Sequence, residues 1–558
     1  MSVARRIALL TAGGAVLAFG IAGGAFGTAS APGTLGELKC ISDSGSGHDR
    51  NCASANGIAN AAFLAISPNG KNVYVTGRDS DSIAVFTRDR STGDLAQLPG
   101  AAGCISDAGS GHDANCAAGQ GLDRASGVAV SGDGRFVYVA ANSGDAIALF
   151  GRDVATGALT QIGCIAEANP ACTKGKGLRG AISIAITPDG ANLYVAAASS
   201  NAVVTFARDV ATGGLTELGC VTDLTSPDPD CVKTGGLNGA SWVAVAPDGR
   251  NVYVASPRSS AVAAFTRTTG GALLALGCLS GNGGHRRDKN CAPGRGLEFV
   301  QYAVVSPEGK YVYVSATDSH VIAGFARDPN TGALTQLGHD GCLADFDYSD
   351  ADCVASRGIS LPLGLTFSAD HRFLYTGAFG YGTVASFRYD AATGGLTPFG
   401  DCTSAEDGNC DRGVGLGRAG FVAATADGRH VYVNAPASSA VAIFGVAQEI
   451  VPTQLVTKTA RIYKRRAVRL KVSCPRGATG GCLGALALRG RGKWRAIQLG
   501  PLQFDLPAGK KATLTLTATG KPLKRLRRTR RFKAFVSVTT RDAAGNEFTY
   551  RRFLAVRR

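Results

Sequence analysis

"SPNGKNVYV" at 67–75 returns six more times along the chain. It reads "SGDGRFVYV" at 131–139, "TPDGANLYV" at 187–195, "APDGRNVYV" at 246–254 and "SPEGKYVYV" at 306–314. "SADHRFLYT" at 368–376 and "TADGRHVYV" at 425–433 complete the set. The marker tyrosines Tyr74, Tyr138, Tyr194, Tyr253, Tyr313, Tyr375 and Tyr432 stand 56 to 64 residues apart. A fixed period of this size marks a repeat architecture. Each copy spells four strands. A short apolar run such as "GVAV" at 127–130 precedes the turn, whose Gly suits a positive φ. The Tyr-Val segment alternates with period two. A third segment ends in Phe86, Phe150, Phe206, Phe265, Phe325, Phe387 or Phe444. An Arg-Asp…Thr-Gly turn then leads to a fourth, as in "RDVATGALTQI" at 152–162. Four antiparallel strands repeated radially are the blades of a β-propeller, so the fold class is all-β. The seventh copy stops after Phe444 without a fourth strand, and an orphan copy of that strand, "GTLGELKC", stands at 33–40. The N-terminal strand is therefore predicted to complete blade seven and close the ring, which hides the sheet edges.

Composition agrees. Of 558 residues, 76 are Gly, with no three-residue period, which excludes collagen. Apolar residues are 45% and charged ones 18%, which excludes a disordered chain. The net charge of +16 hides two opposite halves. Residues 451–558 hold 27 Lys+Arg against 3 Asp+Glu, whereas residues 1–450 hold 31 against 39. The basic part drops the repeat but keeps alternation in "AVRLKVSC" at 467–474, "ATLTLTA" at 512–518 and "FKAFVSVTT" at 532–540. "RDAAGNEF" at 541–548 reads as a hairpin turn. A small β-sandwich of immunoglobulin-like kind is expected there. The predicted organisation is a leader at 1–31, a propeller at 32–448 and the sandwich at 449–558.

Arg5 and Arg6, an apolar stretch from Ile7 to about Phe26 and the small-x-small Ala29-Ser30-Ala31 are laid out as a secretory signal peptide. An uncleaved anchor is the rival reading. Sixteen cysteines fall into eight close pairs. Cys40 goes with Cys52, Cys104 with Cys116, Cys164 with Cys172 and Cys220 with Cys231. Cys278 goes with Cys291, Cys342 with Cys353, Cys402 with Cys410 and Cys474 with Cys482. In an exported chain these read as disulfides. Their gaps are too wide for zinc ligands, which favour separations of about two to four residues. Seven pairs fall between the fourth strand of one blade and the first of the next. Those inserts are expected to project from one face, around the channel mouth. The eighth pair, in the C-terminal part, is expected to close a local hairpin. A secreted or cell-wall-associated location follows.

The Pro-Asp-Gly…Tyr-Val repeat over 33–446 resembles the YVTN-type propellers and the related seven-bladed lactonase family, which includes 6-phosphogluconolactonase and a muconate cyclase. The resemblance implies a site at the channel mouth, with His on an inner strand and Arg and Glu nearby. The inner strands here, "FLAI", "GVAV", "SIAI", "WVAV", "YAVV", "GLTF" and "FVAA", contain no His.

Where these strands begin, Phe63, Trp242, Tyr302 and Phe421 are candidate walls of a ligand pocket. Just upstream, Arg124, Arg179 and Arg418 are candidates for an anion-binding crown, and Glu298 for a general base. His48, His112 and His285 recur inside the Cys loops and read as loop scaffold. Asp43, Asp49, Asp107, Asp113, Asp223, Asp228, Asp230, Asp345, Asp347, Asp350 and Asp352 invite calcium, but capping of turn amides accounts for them, and no metal is expected. No Gly-x-Gly-x-x-Gly or Cys-x-x-Cys-His stands in a cofactor-binding context, and no cofactor is expected. Two functions follow. The first is a secreted, non-enzymatic binding platform, with a protein or glycan ligand at the Cys-loop face. Its basic C-terminal domain would hold a polyanionic cell-envelope polymer, and no specific nucleic acid. The alternative is a lactonase-like hydrolase acting on a sugar lactone.

Overall fold

The computed structural model describes residues 32–45, 49–109, 113–281, 287–348, 353–400, 402–447, 453–476, 478, 481–542 and 547–558. The leader, His48, His112, His285, Asp350, Asp352 and the linker around Val451 lie outside the described residues. Seven small sheets stand one to a repeat. Blade one begins innermost with Ala61–Ile66, followed by Asn72–Gly77 and Ser82–Arg88. Its fourth strand is split into Leu95–Gln97 and Cys104–Asp107. In blades two to four the fourth strand is unbroken: Leu159–Ala166, Leu215–Asp223 and Leu273–Gly281. Blade seven takes Val422–Ala424, His430–Ala435 and Ala440–Val446 from one end of the propeller and Leu35–Asp43 from the other. Ile41 stands opposite Val441 in that antiparallel pair. The ring closes as the orphan strand predicts.

The cysteines join as their spacing predicts: Cys40–Cys52, Cys104–Cys116, Cys164–Cys172 and Cys220–Cys231 in the first four inserts. Cys278–Cys291, Cys342–Cys353 and Cys402–Cys410 follow. Two expectations about their surroundings change. Each blade carries a fifth strand, such as Ala53–Ala55 or Ala117–Gly119, parallel to the end of the fourth. Cys52, Cys116, Cys172, Cys231, Cys291, Cys353 and Cys410 each stand immediately before such a strand, so the seven disulfides tie fourth strand to fifth. The bridges therefore lie at the outer edges of the blades and not around the channel mouth. The physical reason is the free edge. A fourth strand left outermost exposes N–H and C=O groups, and the returning insert satisfies part of them. The Asp residues of the inserts do cap amides. Asp43 Oδ2 accepts Ile58 N at 2.9 Å, and Asp107 Oδ2 accepts Leu122 N at 2.7 Å.

The seven marker tyrosines are fully buried, and all but Tyr375 staple neighbouring blades. Tyr74 donates to Gly157 O at 2.8 Å, Tyr138 to Gly213 O at 2.9 Å and Tyr432 to Gly93 O at 2.7 Å. An arginine from the end of the next blade's third strand donates to the same oxygen. Examples are Arg208 to Tyr138 at 2.8 Å, Arg88 to Tyr432 at 2.9 Å and Arg327 to Tyr253 at 3.0 Å. Gly157 has φ +89°, and a Cβ there would stand 2.1 Å from the Asn72 amide. The Thr-Gly step of the repeat thus brings a bare backbone carbonyl against the neighbour.

After the propeller, strands of both layers are joined in one hydrogen-bonded sheet. Thr459–Tyr463 pairs antiparallel with Ala467–Ser473 and parallel with Glu547–Arg557, and so bridges the layers. One layer continues through Lys511–Thr517, the other through Arg531–Arg541, Cys482–Gly490 and Gln498–Leu506. Val468, Leu470, Leu486, Val536 and Val538 form the core between them. The Cys474–Cys482 bridge joins the ends of two strands that do not pair with each other, so it spans the layers and does not close a hairpin. Arg541 pairs with Glu547 across the expected hairpin, whose tip lies outside the described residues. A helix, Gly520–Arg528, not signalled by the alternation, buries Leu526 and exposes Arg525, Arg527 and Arg528. Arg429 of the propeller forks onto Asp505 of this sheet at 2.7 and 3.0 Å.

Candidate site at the channel mouth

Every inner strand is entered through a residue in the left-handed region. These are Asn60, Arg124, Gly180, Gly239, Phe299, Leu361 and Arg418, with φ between 52° and 74°. Five of the seven are not glycine, and such backbone persists only where the surroundings hold it. The holder is the turn between second and third strands of the preceding blade. Asp81 accepts Arg124 N at 2.7 Å, Asn201 accepts Gly239 N at 2.8 Å and Ser439 Oγ accepts Asn60 N at 2.9 Å. His320 Nδ1 accepts Leu361 N at 3.1 Å, which makes this histidine a backbone holder. Burial depresses its pKa, so it accepts as the neutral ring. Arg124 and Arg418 occupy the same position in their repeats; Arg179 sits one residue earlier, so three arginines do not form one crown.

Just inside, the four aromatics come together. Phe63 stacks on Phe421 with centroids 3.9 Å apart, and Trp242 stacks on Tyr302 at 4.0 Å. Phe63 and Trp242 are 5.7 Å apart. These residues come from blades one, four, five and seven, and side chains from across a ring meet only on its axis. They plug the channel. Burial pushes the Tyr302 phenol well above its ordinary pKa.

Above the plug lies an open depression of about 710 Å³. Phe63 and Phe421 form its floor, and Arg78, Asp79, Arg418 and Phe379 stand in its wall. Arg418 lies over the Phe379 ring at 5.0 Å. Arg78 is largely withdrawn from water. Burial, then the nearby charge of Arg124, lowers its pKa. Its Nε has no hydrogen-bond partner among the described residues, and its remaining contact to Ser126 Oγ is long at 3.4 Å. Asp79 accepts the Asn60 amide at 3.1 Å. Among the lining residues, the titratable side chains are Arg78, Asp79 and Arg418.

The other candidates fall elsewhere. Glu298 approaches Gly281, at the end of a fourth strand, and is not among the residues lining the depression. Arg124 and Arg179 are exposed and do not line it. Arg78 and Asp79 escaped the sequence reading because they follow the second strand, where attention to the inner strands does not reach. The signal was present: "TGRDS" at 76–80 puts two charges where blade two has "AANSG" and blade three "AAASS".

The sequence profile described as Lactonase, 7-bladed beta-propeller matches residues 30–102, 108–234 and 233–344, more than half of the chain. The chain belongs to this family. No curated protein sequence matches the chain. Among solved structures, this lactonase-family chain is similar to the periplasmic gluconolactonase of Pseudomonas aeruginosa. The identity is 19%, the match covers 65% of this chain and 89% of that one, and the TM-score is 0.44. It is similar in like degree to hydrazine synthase of Kuenenia stuttgartiensis, at 16% identity, 72% and 100% coverage and a TM-score of 0.45. The eight disulfides fit an oxidising compartment outside the cytoplasm. Among the described residues no helix is long and apolar enough to cross a membrane.

Proposed function

We propose that this family member is an exported, non-enzymatic binding propeller that takes a small ring-containing anion at the channel mouth. The observation that carries this reading is Arg78, whose half-buried guanidinium keeps an Nε–H without a partner among the described residues, beside an aromatic floor. A buried donor without an acceptor is unfavourable by about 1–3 kcal/mol, so a carboxylate reaching it gains both charge and hydrogen bond. Phe63 and Phe421 offer an apolar face for a ring. Cyclic uronic acids and aromatic acids meet both requirements. The basic C-terminal sheet is assigned to holding an anionic polymer of the cell envelope. Its acids are few, and two of them, Asp505 and Glu547, are already paired with Arg429 and Arg541.

Family membership supports a second reading, lactone hydrolysis at the same depression, with Asp79 as the carboxylate within it. Calorimetric titration with glucuronate and benzoate, alongside turnover of gluconolactone, separates the two. The binding reading expects saturable binding lost in Arg78→Gln and lactone hydrolysis no faster than buffer. Hydrolysis abolished by Asp79→Asn would establish the enzyme instead. Removal of residues 451–558 is expected to abolish salt-sensitive retention on cell walls; unchanged retention would overturn the tether.

A further inference from the structure

Five inter-blade seams carry an arginine from the end of the third strand: Arg88, Arg152, Arg208, Arg267 and Arg327. Each guanidinium meets the same kinds of group. One is a glycine carbonyl in its own blade's turn, at 3.1 Å for Gly70 and 2.8 Å for Gly309. The second is the tyrosine hydroxyl or an asparagine of the blade before. The third, in four seams, is a turn carboxylate of that blade. Asp427, Asp189 and Asp248 stand at 3.0, 2.8 and 2.7 Å, and Asp133 at 3.5 Å. In the sixth blade Tyr389 takes this position and donates to Glu308. In the seventh the position is Val446.

At that last seam the receiving groups remain and the arginine does not. The Tyr375 hydroxyl is fully buried, with no partner among the described residues. It makes no bond to the turn glycine either, although the two ends of the propeller rebuild that turn: Gly33, at φ +95°, donates its N–H to Ala447 O at 2.6 Å, and Ala447 N donates to Thr34 O at 2.8 Å. Asp370 accepts Ser368 Oγ at 2.6 Å and Arg372 N at 3.2 Å, both through Oδ1. No side-chain cation is paired with it among the described residues. A cavity of about 160 Å³ lies between these groups, walled by Val446, Asp427, Pro32 and Gly33. Arg372, at its edge, lies over Phe373 at 5.7 Å.

We propose that this cavity is a binding site for a small organic cation carrying guanidinium or ammonium N–H groups. The cation donates to Tyr375 Oη and to the Asp370 carboxylate, as arginine does in the other seams. An amine next to a carbonyl fits best, since the carbonyl accepts the proton that Tyr375 cannot place. Two sources have this chemistry. One is a free solute. The other is the chain's own α-amino group after removal of the leader, because Pro32 and Gly33 form one wall.

The probes are methylguanidinium and glycinamide, titrated calorimetrically into the leader-free protein. One saturable site is expected, weakened about tenfold by Tyr375→Phe and by Asp370→Asn. It is lost in Val446→Arg, which restores the missing side chain and raises Tm. Binding in the untreated protein assigns the site to a free solute. Binding that appears only after acetylation of the amino terminus assigns it to the chain's own amine. If neither probe binds either form and Val446→Arg lowers Tm, the proposal fails. That failure leaves the reading of the channel mouth untouched, because the two sites share no residue.

Discussion

Between blades one and two, Tyr74 is held from both sides, by Arg152 and by the carbonyl of Gly157. Between blades six and seven, Tyr375 has neither, and Gly382 replaces the side chain that elsewhere holds the entry to the next inner strand. The difference lies in a side chain and not in the backbone. Blade seven joins its third and fourth strands from opposite ends of the propeller, and Gly33 and Thr34 rebuild the turn's backbone bonds to Ala447, but Val446 stands where five other blades have arginine. What closes that seam is this rebuilt turn together with backbone pairing along Leu35–Asp43. The backbone of the repeat is thus completed across the break, while its side-chain staple is not.

The sharpest test of this contrast is Arg152→Ala. It leaves the Tyr74 hydroxyl oxygen and the Asn72 carbonyl oxygen, which the guanidinium reaches at 2.6 Å, without their arginine donor, while Tyr74 keeps Gly157 O. A loss of about 3 kcal/mol is expected in chemical denaturation. Gly382→Ser comes next. Serine holds the strand entry at Ser260 and Ser439, yet a Cβ on Gly382 would lie 2.2 Å from Leu416 O. Destabilisation of about 2 kcal/mol is expected, measured as a lower denaturant midpoint; a stabilised variant would show that the seam merely lacks a cap. A smaller effect separates the tyrosines. Tyr138→Phe loses about 1–2 kcal/mol, whereas Tyr375→Phe is neutral or stabilising, since it removes a buried hydroxyl with no partner among the described residues. Equal losses in the two would erase the distinction between seams.

The smallest effect depends on pH. Gln97 accepts Asn56 N at 2.9 Å and donates to Asn56 O at 2.8 Å; Gln161 and Gln336 repeat this pair. On the closing strand Glu37 takes the position, with both carboxylate oxygens 3.0 Å from Val414 N. Burial pushes its pKa up to about 7, against the lowering effect of that amide. The folded state thus binds the proton more tightly than the unfolded one. Its contribution is full below the unfolded value of 4.5 and declines as pH rises through about 7. Glu37→Gln should raise Tm at pH 8, leave it nearly unchanged at pH 4 and flatten the profile between. Identical profiles for both proteins would show that the carboxyl is not protonated in the ring.

The seven blades and their closure were legible because each copy repeats both its turn and its strand periodicity. The fifth strand was not, since segments such as Ala53–Ala55 are too short for alternation to show. The cysteine partners could be read from spacing alone, but their place at the blade edge could not, because it depends on that hidden strand. The meeting of Phe63, Trp242, Tyr302 and Phe421 follows from their equal place in the repeat, since equivalent positions share one radius. Arg78 and Asp79 were hidden because they lie beyond the strand whose periodicity gives the reading. Glu298 was assigned by its distance along the chain from an inner strand, and the connector carries it outward towards Gly281 instead. The helix Gly520–Arg528 could not be read from alternation, because it packs only Leu523 and Leu526 on the core, too short a pattern to stand out in a run of basic residues.

The closing strand also sets an order of events. In a chain threaded through a membrane from its N-terminus, Leu35–Asp43 arrives first, and its partner Ala440–Val446 follows some four hundred residues later. The Cys40–Cys52 pair, 12 residues apart, can join at once and hold Ala53–Ala55 beside the waiting strand. During that wait the same place on a neighbouring, nearly finished ring is open to it. Crowded refolding should therefore yield dimers that have exchanged their first strands, each ring completed by the other's beginning.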